Sequence, residues 1–222
     1  MVKVGVVLSG CGYLDGAEIH EAVLAAYFLE KEGAELAFAA PDVEQMHVVD
    51  HRTGDVSTGE TRNVLTESAR IARGAIVPVD ELAAGDIDAL VLPGGFGAAK
   101  NLCDFATEGP GCRVHPAVEQ LVRDVHAAGK PIGAICIAPA VIARVLGKRK
   151  PVLTIGTDAG TAGVLQDMGA RHEDRPVNEI SVDREQRIVS TPAYMLGPGI
   201  TDVAVGIEAC CREVMAMARE AS

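Results

Sequence analysis

The chain has 222 residues, 48% of them hydrophobic, which fits a single domain over residues 1–222 with a sizeable core. Aromatic residues make up only 3% and tryptophan is absent, so we expect a core of small aliphatic side chains, as in layered α/β packing. The 31 acidic and 20 basic residues give a formal charge of −11, which excludes phosphate backbones and hence nucleic acid as natural partners.

The sequence shows neither a targeting segment nor a disulfide pattern. We find no signal peptide, no transit segment and no apolar run long enough to span a bilayer, so no membrane partner is expected. The six cysteines lack the spacing of a disulfide framework or a zinc site. These features predict a protein of the reducing cytoplasm, without a metal.

The N-terminal half alternates apolar strands with helical patterns. The strands are predicted at Lys3–Leu8, Glu35–Ala40 and Ala89–Leu92, and the helices at Ala17–Glu32, Val64–Arg73 and Ala98–Phe105. Residues 42–63 are polar and are interpreted as an insertion with a small hairpin.

The C-terminal half continues this alternation. Helices are predicted at Pro116–Ala128, from Cys136 to about Leu146, at Ala159–Met168 and at Asp202–Arg219; strands are predicted at Ile132–Ile135 and Pro151–Ile155, with a hairpin of Glu179–Asp183 and Arg187–Ser190. Such alternation predicts a mostly parallel sheet covered on both faces, with ligands bound beyond the carboxyl ends of its strands.

Cys136 is the most informative residue, because the apolar strand runs directly into it and a helix with an early proline follows. This is the layout of a strand–nucleophile–helix turn. A thiol at a helix N-terminus is expected to ionise more readily than a free thiol, whose pKa is about 8.5. The alternative is a buried structural cysteine, but its position favours a nucleophile.

Acidic residues open the first predicted helix and point toward the same crevice. Glu18 or Glu21 would lie near the thiol and could pass a proton to a substrate atom. The alternative, a carboxylate that favours the helix dipole, suits Glu18 better than Glu21. His20 is either a surface residue or part of the pocket wall.

A glycine-rich turn, Pro93–Gly97, follows the strand Ala89–Leu92. Its glycines can expose an amide, so the amide of Gly95 with that of Ile137 could form an oxyanion hole. A dinucleotide-binding loop is the weaker interpretation, because Lys100 occupies the place of the third glycine.

Other nucleophile partners are less clear in the sequence. The residue after Cys136 is Ile137, so no histidine follows the nucleophile directly, and nothing singles out a more distant one. Cys11 follows the first strand and could approach Cys136 as a second thiol, although a plain loop residue is the simpler interpretation.

Six motifs together resemble the ElbB proteins, or enhancing-lycopene-biosynthesis proteins, of the PfpI-like, class I glutamine amidotransferase-like superfamily that includes the Parkinsonism-associated deglycase. The motifs are Leu8–Gly12, Asp15–Glu21, Pro93–Asn101, Cys136–Ala140, Leu153–Asp158 and Thr191–Leu196. This resemblance covers nearly the whole chain.

The resemblance implies a flavodoxin-like three-layer α/β/α sandwich that forms a homodimer. It implies a nucleophile at Cys136, an acid at Glu21, oxyanion amides at Gly95 and Ile137, and no cofactor. The implied activity is glutathione-independent conversion of the small aldehydes glyoxal and methylglyoxal to glycolate and lactate. The deglycase branch places a histidine where this chain has Gly156, so a third catalytic group is missing.

Two hypotheses assign chemistry to Cys136, and a third interpretation is an interaction protein that has inherited an inactive site. In the first, its thiol attacks an aldehyde and Glu21 moves a proton between neighbouring carbons, which makes the protein a glyoxalase of low activity. In the second, the protein is a non-catalytic redox or stress-response protein, and Cys136 is oxidised to a sulfinate held by Glu21. The sequence does not separate them, because both need the same reactive thiol.

Overall fold

The computed structural model describes residues 1–220, which contain nine strands and eight α-helices. The strands are β1 (Lys3–Val7), β2 (Glu35–Ala40), β3 (Ile76–Pro78), β4 (Ala89–Leu92), β5 (Ile132–Ile135), β6 (Val152–Leu153), β7 (Arg171–His172), β8 (Ser181–Asp183) and β9 (Ile188–Thr191). The helices are α1 (Ile19–Lys31), α2 (Val64–Ile71), α3 (Phe96–Lys100), α4 (Phe105–Glu108), α5 (Pro116–Ala127), α6 (Pro139–Leu146), α7 (Ala159–Asp167) and α8 (Ile200–Glu220).

Seven strands form one sheet in the order β3-β2-β1-β4-β5-β9-β8, parallel except for the antiparallel β8–β9 hairpin. Strands β6 and β7 form a separate two-stranded sheet. Helices α1 and α8 pack on one face of the main sheet, and α5 and α6 pack on the other. This is the predicted flavodoxin-like three-layer α/β/α sandwich. Within residues 1–220, no helix combines the length and the hydropathy needed to cross a bilayer.

Two predicted elements differ from the structure. The helix predicted at Ala98–Phe105 is divided, because α3 ends at Lys100 and Cys103 forms a β-bridge to Val114 before α4 begins. The strand predicted at Pro151–Ile155 shortens to β6, which lies outside the main sheet since β9 occupies the place beside β5.

Three shorter segments, an edge strand, the insertion and the hairpin, were predicted with different success. The sequence analysis missed β3, a short edge strand ending in Pro78. The insertion at 42–63 does contain a hairpin contact, a bridge between Val49 and Val56. The β8–β9 hairpin is confirmed, with Val182 paired to Val189.

The strand order predicts a ligand crevice between β1 and β4. The chain adds β2 and β3 on one side of β1, then returns to add β4 and β5 on the other side. The loops after β1 and β4 therefore part at this switch point, and such crevices are the usual ligand sites of open parallel sheets.

Candidate active site

Cys136 occupies a tight turn between β5 and α6. Its φ is +62°, a left-handed conformation that is rare for residues other than glycine. The amide of Cys136 donates a hydrogen bond to the Thr191 carbonyl oxygen at 2.9 Å, so β9 holds this turn in place. The turn brings the cysteine side chain above the sheet, as in a nucleophile elbow.

Glu21 is fully buried in the first turn of α1. Its Oε1 accepts a hydrogen bond from the amide of Tyr194 at 3.1 Å, and its Oε2 accepts one from the amide of Gly94 at 3.0 Å. No cationic side chain in residues 1–220 forms an ion pair with it. Burial raises the pKa of Glu21 to about 8, because water cannot solvate the ionised form.

Three predicted groups surround the Cys136 sulfur. The Glu21 carboxyl group and the amides of Gly95 and Ile137 lie near enough to the sulfur to shift the pKa of the Cys136 thiol. The structure thus brings together the residues predicted as nucleophile, acid and oxyanion hole. A substrate oxygen bound near the sulfur would lie within reach of both amides.

The ionisation of the thiol differs from the prediction. Burial, followed by the charge of Glu21, raises the pKa of the Cys136 thiol well above its ordinary value, and these effects outweigh the two amides. The prediction that helix amides make the Cys136 thiol more acidic than a free thiol is therefore wrong. Cys136 and Glu21 instead form a buried pair that retains protons at neutral pH.

A cavity of about 740 Å³ opens over the sulfur. Glu18 and His20 line it, as predicted for possible pocket residues. Glu18 is also the N-cap of α1 and accepts a hydrogen bond from the Glu21 amide at 2.7 Å, which confirms its helix-start role. His20 Nδ1 lies 2.8 Å from the Tyr194 hydroxyl.

The prediction of Cys11 as a possible pocket residue is wrong, because Cys11 does not line this cavity. It is half-buried beside Glu67 and Arg70, and burial followed by the charge of Glu67 raises its pKa. The loop after β1 turns Cys11 toward α2, since Gly10 donates to the Ser68 hydroxyl at 2.9 Å. Cys11 is a loop residue here, and all six cysteines are free thiols.

Two parts of the site were missed by the sequence analysis. Tyr194 supplies an amide to Glu21 and its ring lines the cavity, although its motif was recognised only as part of a resemblance. Gly94 supplies the second amide to Glu21. His20 is the histidine among the cavity-lining residues, and Gly156 packs against Leu196 instead of supplying a side chain.

Gly94→Ala is expected to destabilise the fold and to abolish any reaction at Cys136. A Cβ at this position would collide with the Cβ of Cys136, and would lie 2.6 Å from Glu21 Oε2 and 2.9 Å from the Ile135 carbonyl oxygen. Because these atoms belong to packed or backbone groups, we expect a loss of about 3 kcal/mol in the free energy of unfolding, the upper end of the usual cost of overpacking. Denaturant unfolding measures it.

The matched control for this change is Gly163→Ala in α7. A Cβ there meets nothing within 4 Å, and alanine favours helices, so stability should hold or rise by up to about 1 kcal/mol. Equal stabilities of the two variants would contradict the assigned packing at Gly94.

The fold and this site define a flavodoxin-like α/β protein with a class I glutamine amidotransferase-like fold and a cysteine at a strand–helix elbow. Residues 11–189 match the family model described as the DJ-1/PfpI family. The chain belongs to the DJ-1/PfpI family.

Named relatives extend this similarity along the chain. The human glutamine amidotransferase-like class 1 domain-containing protein 3, mitochondrial, is 47% identical, covering 96% of this chain and 82% of the relative. The ES1 protein homolog, mitochondrial, of Rattus norvegicus is 45% identical over 96% of this chain and 83% of its own length. A crystal structure of an isoprenoid biosynthesis protein with an amidotransferase-like domain from Ehrlichia chaffeensis superposes with a TM-score of 0.92 at 37% identity, covering 98% of this chain and 99% of that chain.

Proposed function

We propose that this protein is an ElbB-like, cofactor-independent glyoxalase that converts glyoxal and methylglyoxal to glycolate and lactate. One observation carries the proposal: a thiol, a carboxyl group without a cationic partner and two converging amides meet at the floor of a cavity. These are the groups needed to add a sulfur nucleophile to a carbonyl group, to hold the oxyanion and to relocate a proton.

The first step forms a bond between the Cys136 sulfur and the aldehyde carbon. The ionised form of Glu21 accepts the thiol proton as this bond forms, and the amides of Gly95 and Ile137 stabilise the negative oxygen. That oxygen then takes up the proton, which gives a hemithioacetal and restores the Glu21 carboxylate.

The second step moves a proton between neighbouring carbons. Glu21 removes the proton from the former aldehyde carbon and returns it to the former ketone carbon through an enediol. The first carbon is thereby oxidised to a thioester and the second is reduced to an alcohol, so no external oxidant takes part. Water then cleaves the thioester and releases the hydroxy acid and the Cys136 thiol.

The test is a proton NMR assay of the purified protein with methylglyoxal and without glutathione. We expect lactate to appear at a rate proportional to protein concentration. The rate should rise between pH 7 and pH 9, because the pKa of Glu21 is about 8 and its ionised form is the base. An absence of lactate above the protein-free control would contradict the proposal.

The redox hypothesis has support from the same pair. With a pKa raised to about 8, the Glu21 carboxyl group keeps its proton at pH 7 and could donate it to an oxygen of oxidised Cys136. Mass spectrometry after mild peroxide treatment separates the two functions. Selective oxidation of Cys136 without aldehyde turnover favours the redox protein, and turnover without selective oxidation favours the enzyme.

The proposal also covers the cellular location and the oligomeric state of the protein. We propose a cytoplasmic homodimer, to be tested by cell fractionation and by light scattering of the purified protein. The human and rat relatives are named as mitochondrial proteins, so a mitochondrial fraction is the outcome that would overturn the proposed location.

A further inference from the structure

Aromatic side chains are concentrated around the cavity over Cys136. The chain has only four phenylalanines and three tyrosines, and four of these seven residues line this cavity. They are Tyr13, Phe96, Phe105 and Tyr194. Phe96 is 49% exposed and Tyr13 is 48% exposed, so both present ring surface to the cavity and solvent without being needed in the core.

The volume of the cavity exceeds what methylglyoxal needs. At about 740 Å³ it falls within the range of roughly 300–1,000 Å³ that accommodates drug-sized ligands. Methylglyoxal is scarcely larger than a few water molecules of about 30 Å³ each. Met195 and Ile137 add further apolar surface to the wall. Most of the cavity would stay filled with water around so small a substrate.

The charged side chains around the cavity favour a neutral substrate over an anionic one. Glu18 is the carboxylate-bearing residue at the rim, and no lysine or arginine is among the lining residues. Lys100 lies 5.2 Å from the centre of the Phe96 ring, but its ammonium group donates to the Leu14 carbonyl oxygen at 2.9 Å. A phosphate or carboxylate group on the substrate would therefore find no lysine or arginine side chain on the cavity wall.

We infer that the preferred substrate is a neutral α-oxoaldehyde that carries an aromatic or comparably large apolar group. This inference rests on the proposed function and assigns its substrate class. The reactive end contacts Cys136 and Glu21, while the apolar group packs edge-to-face or offset-stacked against Phe96 and Phe105. The chemistry stays balanced, because the aldehyde carbon is oxidised, the ketone carbon is reduced and one water is consumed.

Phenylglyoxal and methylglyoxal form a matched pair of substrates for the test. Initial rates with the purified protein should give a kcat/KM for phenylglyoxal at least tenfold above that for methylglyoxal, with mandelate as the product. A kcat/KM for phenylglyoxal equal to or below that for methylglyoxal would overturn the inference and leave the proposed glyoxalase function intact.

A binding measurement keeps the inference testable without turnover. Two unreactive hydroxyketones, 2-hydroxyacetophenone and hydroxyacetone, are compared as protectors of Cys136 against iodoacetamide. The aromatic compound should protect Cys136 at a concentration at least tenfold lower. Equal protection would contradict the apolar site, whereas selective protection without turnover of any aldehyde would support the site and contradict the proposed function.

A pair of variants tests the position of the apolar group. Ala106 lines the cavity and is exposed on the short helix α4, while Thr107 is exposed on the same helix and does not line the cavity. Ala106→Phe should reduce the phenylglyoxal-to-methylglyoxal ratio of kcat/KM by at least tenfold, and Thr107→Phe should leave that ratio unchanged. The same ratio in both variants would contradict the assigned binding position.

Discussion

Cys136→Ser is expected to lower kcat/KM for methylglyoxal by at least about 1,000-fold. A serine hydroxyl group fits the same turn, but it is a much weaker nucleophile than sulfur, and Glu21 is too weak a base to ionise it. The measurement is steady-state formation of lactate, with folding checked by circular dichroism. The change is nearly isosteric, so the melting temperature should stay close to that of the wild type.

Cys11→Ser is the matched control for this experiment. Cys11 is also a thiol in a loop after a parallel strand, but it lies outside the cavity wall. Turnover in this control should match the wild type within about twofold. Turnover that survives in Cys136→Ser, or that disappears in Cys11→Ser, would place the chemistry at a different sulfur.

Glu21→Gln is expected to make the protein more stable at pH 8 than the wild type, while it removes turnover. The pKa of Glu21 is about 8 in the folded protein and near 4.3 in an unfolded chain. Between these values the folded protein binds one more proton than the unfolded chain, so the free energy of unfolding falls as pH rises. The slope is roughly 1.4 kcal/mol per pH unit for one proton.

Glutamine is neutral at every pH, so it removes this slope. Its single carbonyl oxygen can accept from only one of the Gly94 and Tyr194 amides, so one hydrogen bond is lost. The difference in free energy of unfolding, variant minus wild type, should therefore increase steadily from pH 5 to pH 8. Urea unfolding at several pH values measures it. Glu30→Gln, an exposed carboxyl group on α1, is the control and should show a nearly constant difference. A constant difference for Glu21→Gln would refute the buried protonated carboxyl group.

The fold was largely predictable because the hydrophobic periodicity is strong. Strands such as β2 and β5 have the predicted bounds, since short aliphatic runs end at proline, glycine or the elbow. The helix predicted at Ala98–Phe105 failed because long-range contacts decided the backbone there. The Asn101 amide group donates to the carbonyl oxygens of Ser9 and Asp15, and these partners lie more than 80 residues away.

Most residues of the site could be predicted from the sequence, but the direction of the thiol pKa shift could not. Local patterns place Cys136, Gly95 and Ile137 at strand ends, so their meeting follows from the parallel sheet. The amide of Tyr194 reaches Glu21 across 173 residues, which no local pattern indicates. The direction of the thiol pKa shift also depends on how deeply the pair is buried, and burial is a property of the assembled fold.

The strand order affects how readily proteases and alkylating agents attack this protein. Glu21, Gly94 and Cys136 reach the site from three connections of the main sheet, and Tyr194 reaches it from the segment between β9 and α8. A molecule bound there contacts all four segments simultaneously, so occupancy should slow proteolytic nicking far from the sulfur. Conversely, loosening any one of these segments should increase the rate at which alkylating agents react with the Cys136 thiol.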